Sequence, residues 1–200
     1  MLKVNQEKEI SKYIIGVDEV GRGPLAGPVV SAAVRLSKNF NITELNDSKK
    51  LSKFKREEVY NLIINTCEYQ LGISNVEEID KLNILQATFL SMRRAINKFK
   101  LPSNYKILVD GPWSFDKANK NILPKIKGDS IYPSIAAASI IAKVYRDNLM
   151  LNLSKEYSNY LWERNSGYGT KKHIEAIRLH GITKHPVSYT HLTLPTMFEV

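Results

Sequence analysis

Four carboxylates stand out by where they fall in the chain. Asp18 and Glu19 directly follow the apolar run Tyr13-Ile14-Ile15-Gly16-Val17. Asp110 follows Lys106-Ile107-Leu108-Val109, and Asp129 follows Gly128 just ahead of an alanine-rich stretch. Taken singly, each reads as a turn or capping residue. Taken together, with no ion-pair partner predicted for any of them, they would raise one another's pKa and oppose folding unless something neutralised them. A hard divalent cation does this, because Mg²⁺ and Mn²⁺ prefer carboxylate and water oxygens. Spacing alone does not bring the four together in space.

Three further segments carry chemistry suited to phosphate or sugar. Gly21-Arg22-Gly23-Pro24 puts an arginine between two glycines. Glycine lets a backbone come close to a ligand, and the guanidinium is a planar fork for phosphate. A dinucleotide-binding glycine loop is rejected, because Pro24, Pro28 and a strand follow where that motif needs a helix N-terminus. Asp47-Ser48-Lys49-Lys50-Leu51-Ser52 sets two lysines beside a helix start, and reads equally well as a solvated capping segment. Gly167-Tyr168-Gly169-Thr170 presents an aromatic between glycines ahead of a helix. Such a tyrosine packs on a sugar or base, or is simply a packed loop residue. Ser139, Lys143, Arg146 and Asp147 form a polar stripe, which is ordinarily a solvated helix face.

These residues need elements to position them. Tyr13–Val17 reads as a buried strand and Val29–Leu36 as a second, joined by the Gly/Pro-rich turn 21–28 as a hairpin. Ser52 is the expected N-cap of a helix running to about Thr66, with Glu57 and Glu58 early in it. Tyr69–Ser74 reads as a third strand. Ile84–Phe99 has helical spacing, with Leu85, Phe89, Met92 and Ile96 on one face. Lys106–Val109 is a fourth strand and Asn121–Ile126 a short fifth. A long helix is expected from Ser134 to about Leu153, its Ala136-Ala137-Ala138 allowing close approach to a sheet. A last helix covers Thr170–His180. This order predicts a mixed sheet covered by helices. The carboxylates Asp18, Glu19 and Asp110 then lie at carboxyl ends of strands, where ligand sites of open α/β sheets tend to be.

Composition agrees with one soluble domain. The chain has 200 residues, 43% of them hydrophobic and 24% charged, within the roughly 100–200 residues of an ordinary domain. A net charge of +9 favours anionic partners, phosphate backbones first among them. The single cysteine, Cys67, rules out an intramolecular disulfide and reads as a small core residue. No stretch approaches the roughly 20 apolar residues of a membrane span. Met1 to Lys12 lacks the apolar core of a secretory signal, so the cytoplasm is the expected location.

The segment Ile15-Gly16-Val17-Asp18-Glu19-Val20-Gly21-Arg22-Gly23-Pro24-Leu25-Ala26-Gly27-Pro28 closely resembles the opening motif of the ribonuclease HII family. The resemblance continues in family order through Asp47–Ser52, Asn83-Ile84-Leu85-Gln86-Ala87-Thr88, Leu108-Val109-Asp110-Gly111, Ala136–Asp147 and Gly167–Thr170, covering roughly residues 13 to 185. It implies a ribonuclease H-like fold, a mixed five-stranded sheet flanked by helices and followed by C-terminal helices. It also implies a metal site of Asp18, Glu19, Asp110 and Asp129 holding Mg²⁺ or Mn²⁺. Asp147 is a rival for the fourth place, but the family's fourth carboxylate precedes the long helix, which leaves Asp147 as a structural partner of a neighbouring base. Gly21, Arg22, Gly23 and Tyr168 would sense a ribose 2′-hydroxyl, the group that separates RNA from DNA. Lys49, Lys50, Asn83, Gln86, Ser139 and Lys143 would hold the nucleic-acid backbone, fixing register without reading sequence. The implied partners are RNA/DNA hybrids and duplex DNA containing ribonucleotides, met by a monomer. A related type needing a longer RNA tract, and a non-catalytic basic nucleic-acid-binding protein, are the alternatives.

The resemblance stops near the C-terminus. The family's His-Arg-x-Ser-Phe block is replaced by Ile182-Thr183-Lys184-His185-Pro186. Residues 187–200 match no family pattern and resemble a translated sequencing-library adaptor. The expected domain is therefore 1–186, with 187–200 set aside as a non-native tail and the natural C-terminal helix cut short.

Overall fold

In a computed structural model of the chain, residues 2, 7, 9–45 and 51–183 are described. Lys49 and Lys50, with the rest of segment 46–50, lie outside the described residues, as does everything from Lys184 onward. Five strands, β1 (Tyr13–Val20), β2 (Val29–Arg35), β3 (Glu68–Ser74), β4 (Tyr105–Asp110) and β5 (Ile122–Lys125), form one sheet in the order β3-β2-β1-β4-β5. β1 and β2 are an antiparallel hairpin and β3 extends it antiparallel. β4 and β5 add parallel strands on the other side. The sheet is therefore mixed, as expected. β1 is longer than predicted and carries Asp18 and Glu19 inside its last turn of pleat rather than after it.

The helices are α1 (Lys53–Thr66), α2 (Val76–Leu82), α3 (Ile84–Ile96), α4 (Pro133–Glu156), α5 (Trp162–Asn165) and α6 (Lys171–His180). Among the described residues no helix is long and apolar enough to cross a membrane. α4 crosses one face of the sheet. It opens with Pro133 at its first turn, a position whose missing N–H has no helical partner in any case. Ala136, Ala137 and Ala138 are fully buried. The approach is close because Gly16 of β1 has no side chain, and a Cβ there would run into the Ser134 backbone. α1 closes the same layer, with Val59 and Ile63 packed on the helix and sheet.

The other face is covered by α3. Its buried residues are Ala87, Thr88, Ser91, Met92, Ala95 and Ile96, so the predicted stripe was rotated: Leu85 and Phe89 sit at its edge, half-buried. The small residues win the interior because α3 lies against Gly72 of β3, where an added Cβ would collide with the Ser91 carbonyl. Ile15, Val17, Ile107 and Val109 complete this core. Ser52 caps α1 through its side chain, accepting from the Lys55 N–H at 3.2 Å. The first turn of α1 holds no acidic residue, so Glu57 and Glu58 do not complement its N-terminus as expected.

Candidate active site

β1 and β4 are parallel and in register through the pair Val17 and Val109. The next residue on each strand is an aspartate, so Asp18, two residues before β1 ends, and Asp110, the last residue of β4, follow that pair on adjacent strands. Asp18 is buried, 6% exposed. Its Oδ1 accepts from the Glu19 N–H at 2.7 Å, and the Ser139 hydroxyl of α4 also bonds to it. Burial pushes the Asp18 carboxyl well above the usual range, and the charges of Glu19 and then Asp110 push it further. Glu19 is raised too, first by burial, with Asp110 adding to the shift and the Arg22 guanidinium opposing it. These three carboxylates therefore share one electrostatic environment.

Asp129 lies on a single turn, Gly128–Ser130, whose backbone meets Asp110. The Gly128 N–H donates to Asp110 Oδ1 at 2.6 Å and the Asp129 N–H reaches the same oxygen at 3.4 Å. Asp129 is itself buried, 3% exposed. One expectation fails: Glu19 does have a basic partner, Arg22 Nη1 at 3.1 Å. The Arg22 fork is thus partly engaged with the protein.

The donor set suits a hard cation. It consists of carboxylate oxygens, and Glu19 Oε2 is buried without a hydrogen-bond partner. A buried orphan carboxylate oxygen is costly unless a cation meets it. Among the described residues no group of three or more His, Cys, Asp or Glu side chains stands in an arrangement that could hold a metal ion. In this arrangement Asp18, Asp110 and Glu19 each turn an oxygen to a backbone N–H or to Arg22.

Beside the carboxylates lies a cleft of about 340 Å³ lined by Glu19, Val20, Arg56, Ser139, Ile140, Lys143 and Tyr168. Tyr168 is 41% exposed. A Cβ on Gly23 would lie 3.7 Å from its ring, so the Gly21-Arg22-Gly23 loop and Tyr168 form one rim. The Leu25 and Ala26 N–H groups donate to the Gly167 carbonyl at 2.8 and 3.2 Å. Lys143 pairs with Asp147 at 2.8 Å and stands 5.9 Å from the Tyr168 ring centre. Asn83, with φ of +69°, uses its side-chain oxygen to cap α3, accepting from the Leu85 and Gln86 N–H groups. Gln86 is exposed on the first turn of that helix.

The stripe reading of α4 is corrected at Arg146, which is fully buried. Its guanidinium donates to the carbonyls of Pro28 at 3.0 Å, Ser166 at 2.8 Å and Ala26 at 2.7 Å. It therefore ties the glycine-rich loop to the loop bearing Tyr168. Arg56 of α1, unremarked in the sequence, lines the cleft. The support behind Tyr168 was also missed: there His173 bonds to the Tyr168 carbonyl. The signal for His173 was available: a histidine three residues into a helix whose N-cap is Thr170.

A mixed five-stranded sheet with carboxylates at adjoining strand ends and a basic rim defines a metal-dependent hydrolase of ribonuclease H-like fold. The family model described as Ribonuclease HII matches residues 15–194, running on past Pro186. The chain belongs to the ribonuclease HII family, whose members are metal-dependent ribonucleases. It is 54% identical over 171 residues to the ribonuclease HII of Fusobacterium nucleatum, covering 84% of this chain and 80% of that one. The solved ribonuclease H2 of Pyrococcus horikoshii superposes with a TM-score of 0.70 at 28% identity, over 88% of this chain and 92% of that one. The ribonuclease HII of Archaeoglobus fulgidus, solved in complex with PCNA, gives 0.68 at 26% identity, over 84% and 87%.

Proposed function

We propose that this protein is an endoribonuclease that hydrolyses the RNA strand of RNA/DNA hybrids and cuts on the 5′ side of single ribonucleotides embedded in duplex DNA. The products would carry 5′-phosphate and 3′-hydroxyl ends. One observation carries the reading: Glu19 and Tyr168 line the same cleft, and Gly23 lies against the Tyr168 ring. A carboxylate suited to a metal and an aromatic suited to a sugar thus face one space.

Asp18, Glu19, Asp110 and Asp129 would hold two divalent cations, Mg²⁺ or Mn²⁺. Bound there, the pair supplies activation of the attacking water and stabilisation of the leaving 3′-oxygen. The chain's own part is to orient the substrate. The backbone of Gly21 to Gly23 can approach a 2′-hydroxyl because no side chain stands in the way at the glycines. Tyr168 packs against the neighbouring sugar and offers its hydroxyl. Lys49, Lys50, Asn83, Gln86, Ser139 and Lys143 contact the backbone, with Arg22 shared between Glu19 and phosphate. The proposal includes a monomer working in the cytoplasm to remove misincorporated ribonucleotides or primer remnants.

The test is a DNA duplex carrying one ribonucleotide, incubated with purified protein and Mg²⁺ or Mn²⁺, then with chelator. Metal-dependent cutting 5′ of the ribonucleotide, with an all-DNA control intact, is expected. A folded protein that leaves this duplex uncut would overturn the reading.

A further inference from the structure

Behind Tyr168, away from the cleft, His173 is fully buried. Its Nδ1 lies 2.9 Å from the Tyr168 carbonyl oxygen, and its Nε2 lies 3.0 Å from the Trp162 indole nitrogen. A carbonyl oxygen only accepts and an indole N–H only donates. The imidazole must therefore carry its proton on Nδ1 and keep a lone pair on Nε2. Both bonds can be made only by the neutral ring in that one tautomer. Tyr160 and Trp162 meet the ring edge-on, at 6.4 and 6.3 Å between centres, so it cannot easily turn. The Tyr168 backbone has two further bonds, both within its own loop: its N–H donates to the Asn165 carbonyl at 2.8 Å, and its carbonyl also accepts from the Thr170 N–H at 2.8 Å.

We propose that His173, fixed as the Nδ1–H tautomer between Trp162 and the Tyr168 carbonyl, is the positioning residue of Tyr168, setting the fit of a ribonucleotide from behind the loop without touching substrate. This rests on the reading of Tyr168 as part of the ribonucleotide sensor. The physical lever is short. The imidazole bonds the backbone of the residue whose ring faces the cleft, so a displaced carbonyl moves the ring. Misplacing a substrate-orienting group by about 1 Å lowers a rate by up to roughly a hundredfold. Trp162 completes the device: by donating to Nε2 it excludes the other tautomer, which would turn a lone pair on the Tyr168 carbonyl.

The test compares folded variants on duplex DNA with a single ribonucleotide, with kcat and KM measured separately. His173→Leu is expected to lower kcat about tenfold or more, while the Mg²⁺ concentration for half-maximal rate stays unchanged. His173→Asn, whose amide can still donate to the Tyr168 carbonyl, is expected to restore most of the rate. A purely structural role would not separate these two. If His173→Leu does not fold, Trp162→Phe takes its place, with a loss of severalfold expected. Nitrogen NMR of the wild-type imidazole should show Nδ1 protonated and Nε2 bare. The opposite tautomer, or a folded His173→Leu or Trp162→Phe enzyme with unchanged kcat, would overturn the inference. Tyr168→Ala separates the two levels: if it cuts like wild type, the sensor reading itself fails. If it is impaired while the His173 variants are not, only the positioning role fails.

Discussion

The Gly128 N–H donates to Asp110 Oδ1 at 2.6 Å, so the turn that carries Asp129 is tied to the carboxylate that ends β4. On the proposed function Asp110 has two tasks, one toward the turn and one toward a metal. Asp110→Asn separates them, because the amide oxygen can still accept from Gly128 while the negative charge is gone. Cleavage is expected to fall by more than about a hundredfold, since even outer partners of metal ligands are worth roughly ten- to a hundredfold. Duplex binding, followed by fluorescence anisotropy, should be retained or tightened as repulsion of the phosphates falls. Retained cleavage would remove Asp110 from the metal site.

Asp18 and Glu19 make the metal-free protein sensitive to pH. Both carboxyls are raised, burial being the first cause in each. The folded chain then holds protons that the unfolded chain has already released, so their contribution to stability is full below the unfolded carboxylate pKa and is lost as pH rises through the raised folded values. His173 acts oppositely, because burial lowers its pKa and its neutral form becomes a liability as pH falls below about 6.5. Asp18→Asn isolates the first effect. In chelator its Tm should exceed that of wild type by a margin that grows as pH rises from about 4 toward neutrality, at roughly 2–4 °C per kcal/mol. Added Mg²⁺ or Mn²⁺ should narrow the margin by stabilising wild type alone. A margin independent of pH would show that Asp18 is not strained by its neighbours.

Arg146 links two loops through three carbonyls while fully buried. Lysine keeps the charge but not the planar fork. Arg146→Lys should therefore leave at least one buried carbonyl unsatisfied and lower stability by about 3 kcal/mol or more, a fall in Tm of roughly 6–12 °C. The surviving folded fraction should lose kcat on a single-ribonucleotide substrate, because Gly21–Gly23 and Tyr168 would no longer be held at one spacing. Scanning calorimetry and cleavage assays on the same preparation check both. A lysine variant as stable as wild type would mean that water or lysine replaces all three bonds.

The reason some of this was legible before the fold was known lies in periodicity. β1 and β4 are buried apolar runs of strand length, and α4 opens with proline and small residues, so each is marked locally. The register that brings Asp18 beside Asp110 is not local, since no pattern within either strand states which residues will face across the pair. Arg146 was misread for a related reason. It shares a helix face with Lys143 and Asp147, which do stay half-exposed, and only the distant loops at Ala26 and Ser166 bury it. α2 was missed although its capping box was present in plain form, Asn75 with Glu78 three residues on. Its seven residues are too short for periodicity to register.

Asp147 provides the sharpest discrimination among the carboxylates, because it lies near the cleft yet is bonded elsewhere. Its Oδ1 accepts from Lys143 Nζ at 2.8 Å, one helical turn away on α4, with the side chain about a quarter exposed at 28%. A pair of this kind is worth only about 0.3–0.5 kcal/mol, so Asp147→Asn should barely move Tm. It releases Lys143, which stands near the Tyr168 ring, to meet phosphate. KM should therefore fall modestly and binding should become more salt-dependent, as an added phosphate contact requires. Cleavage rate and metal requirement should stay within about threefold of wild type, whereas Asp129→Asn should lose both, as a metal ligand would. If instead Asp147→Asn lost more than about a hundredfold and Asp129→Asn did not, the fourth carboxylate of the site would be Asp147. The long helix would then supply a ligand, and not only Ser139, to the metal centre.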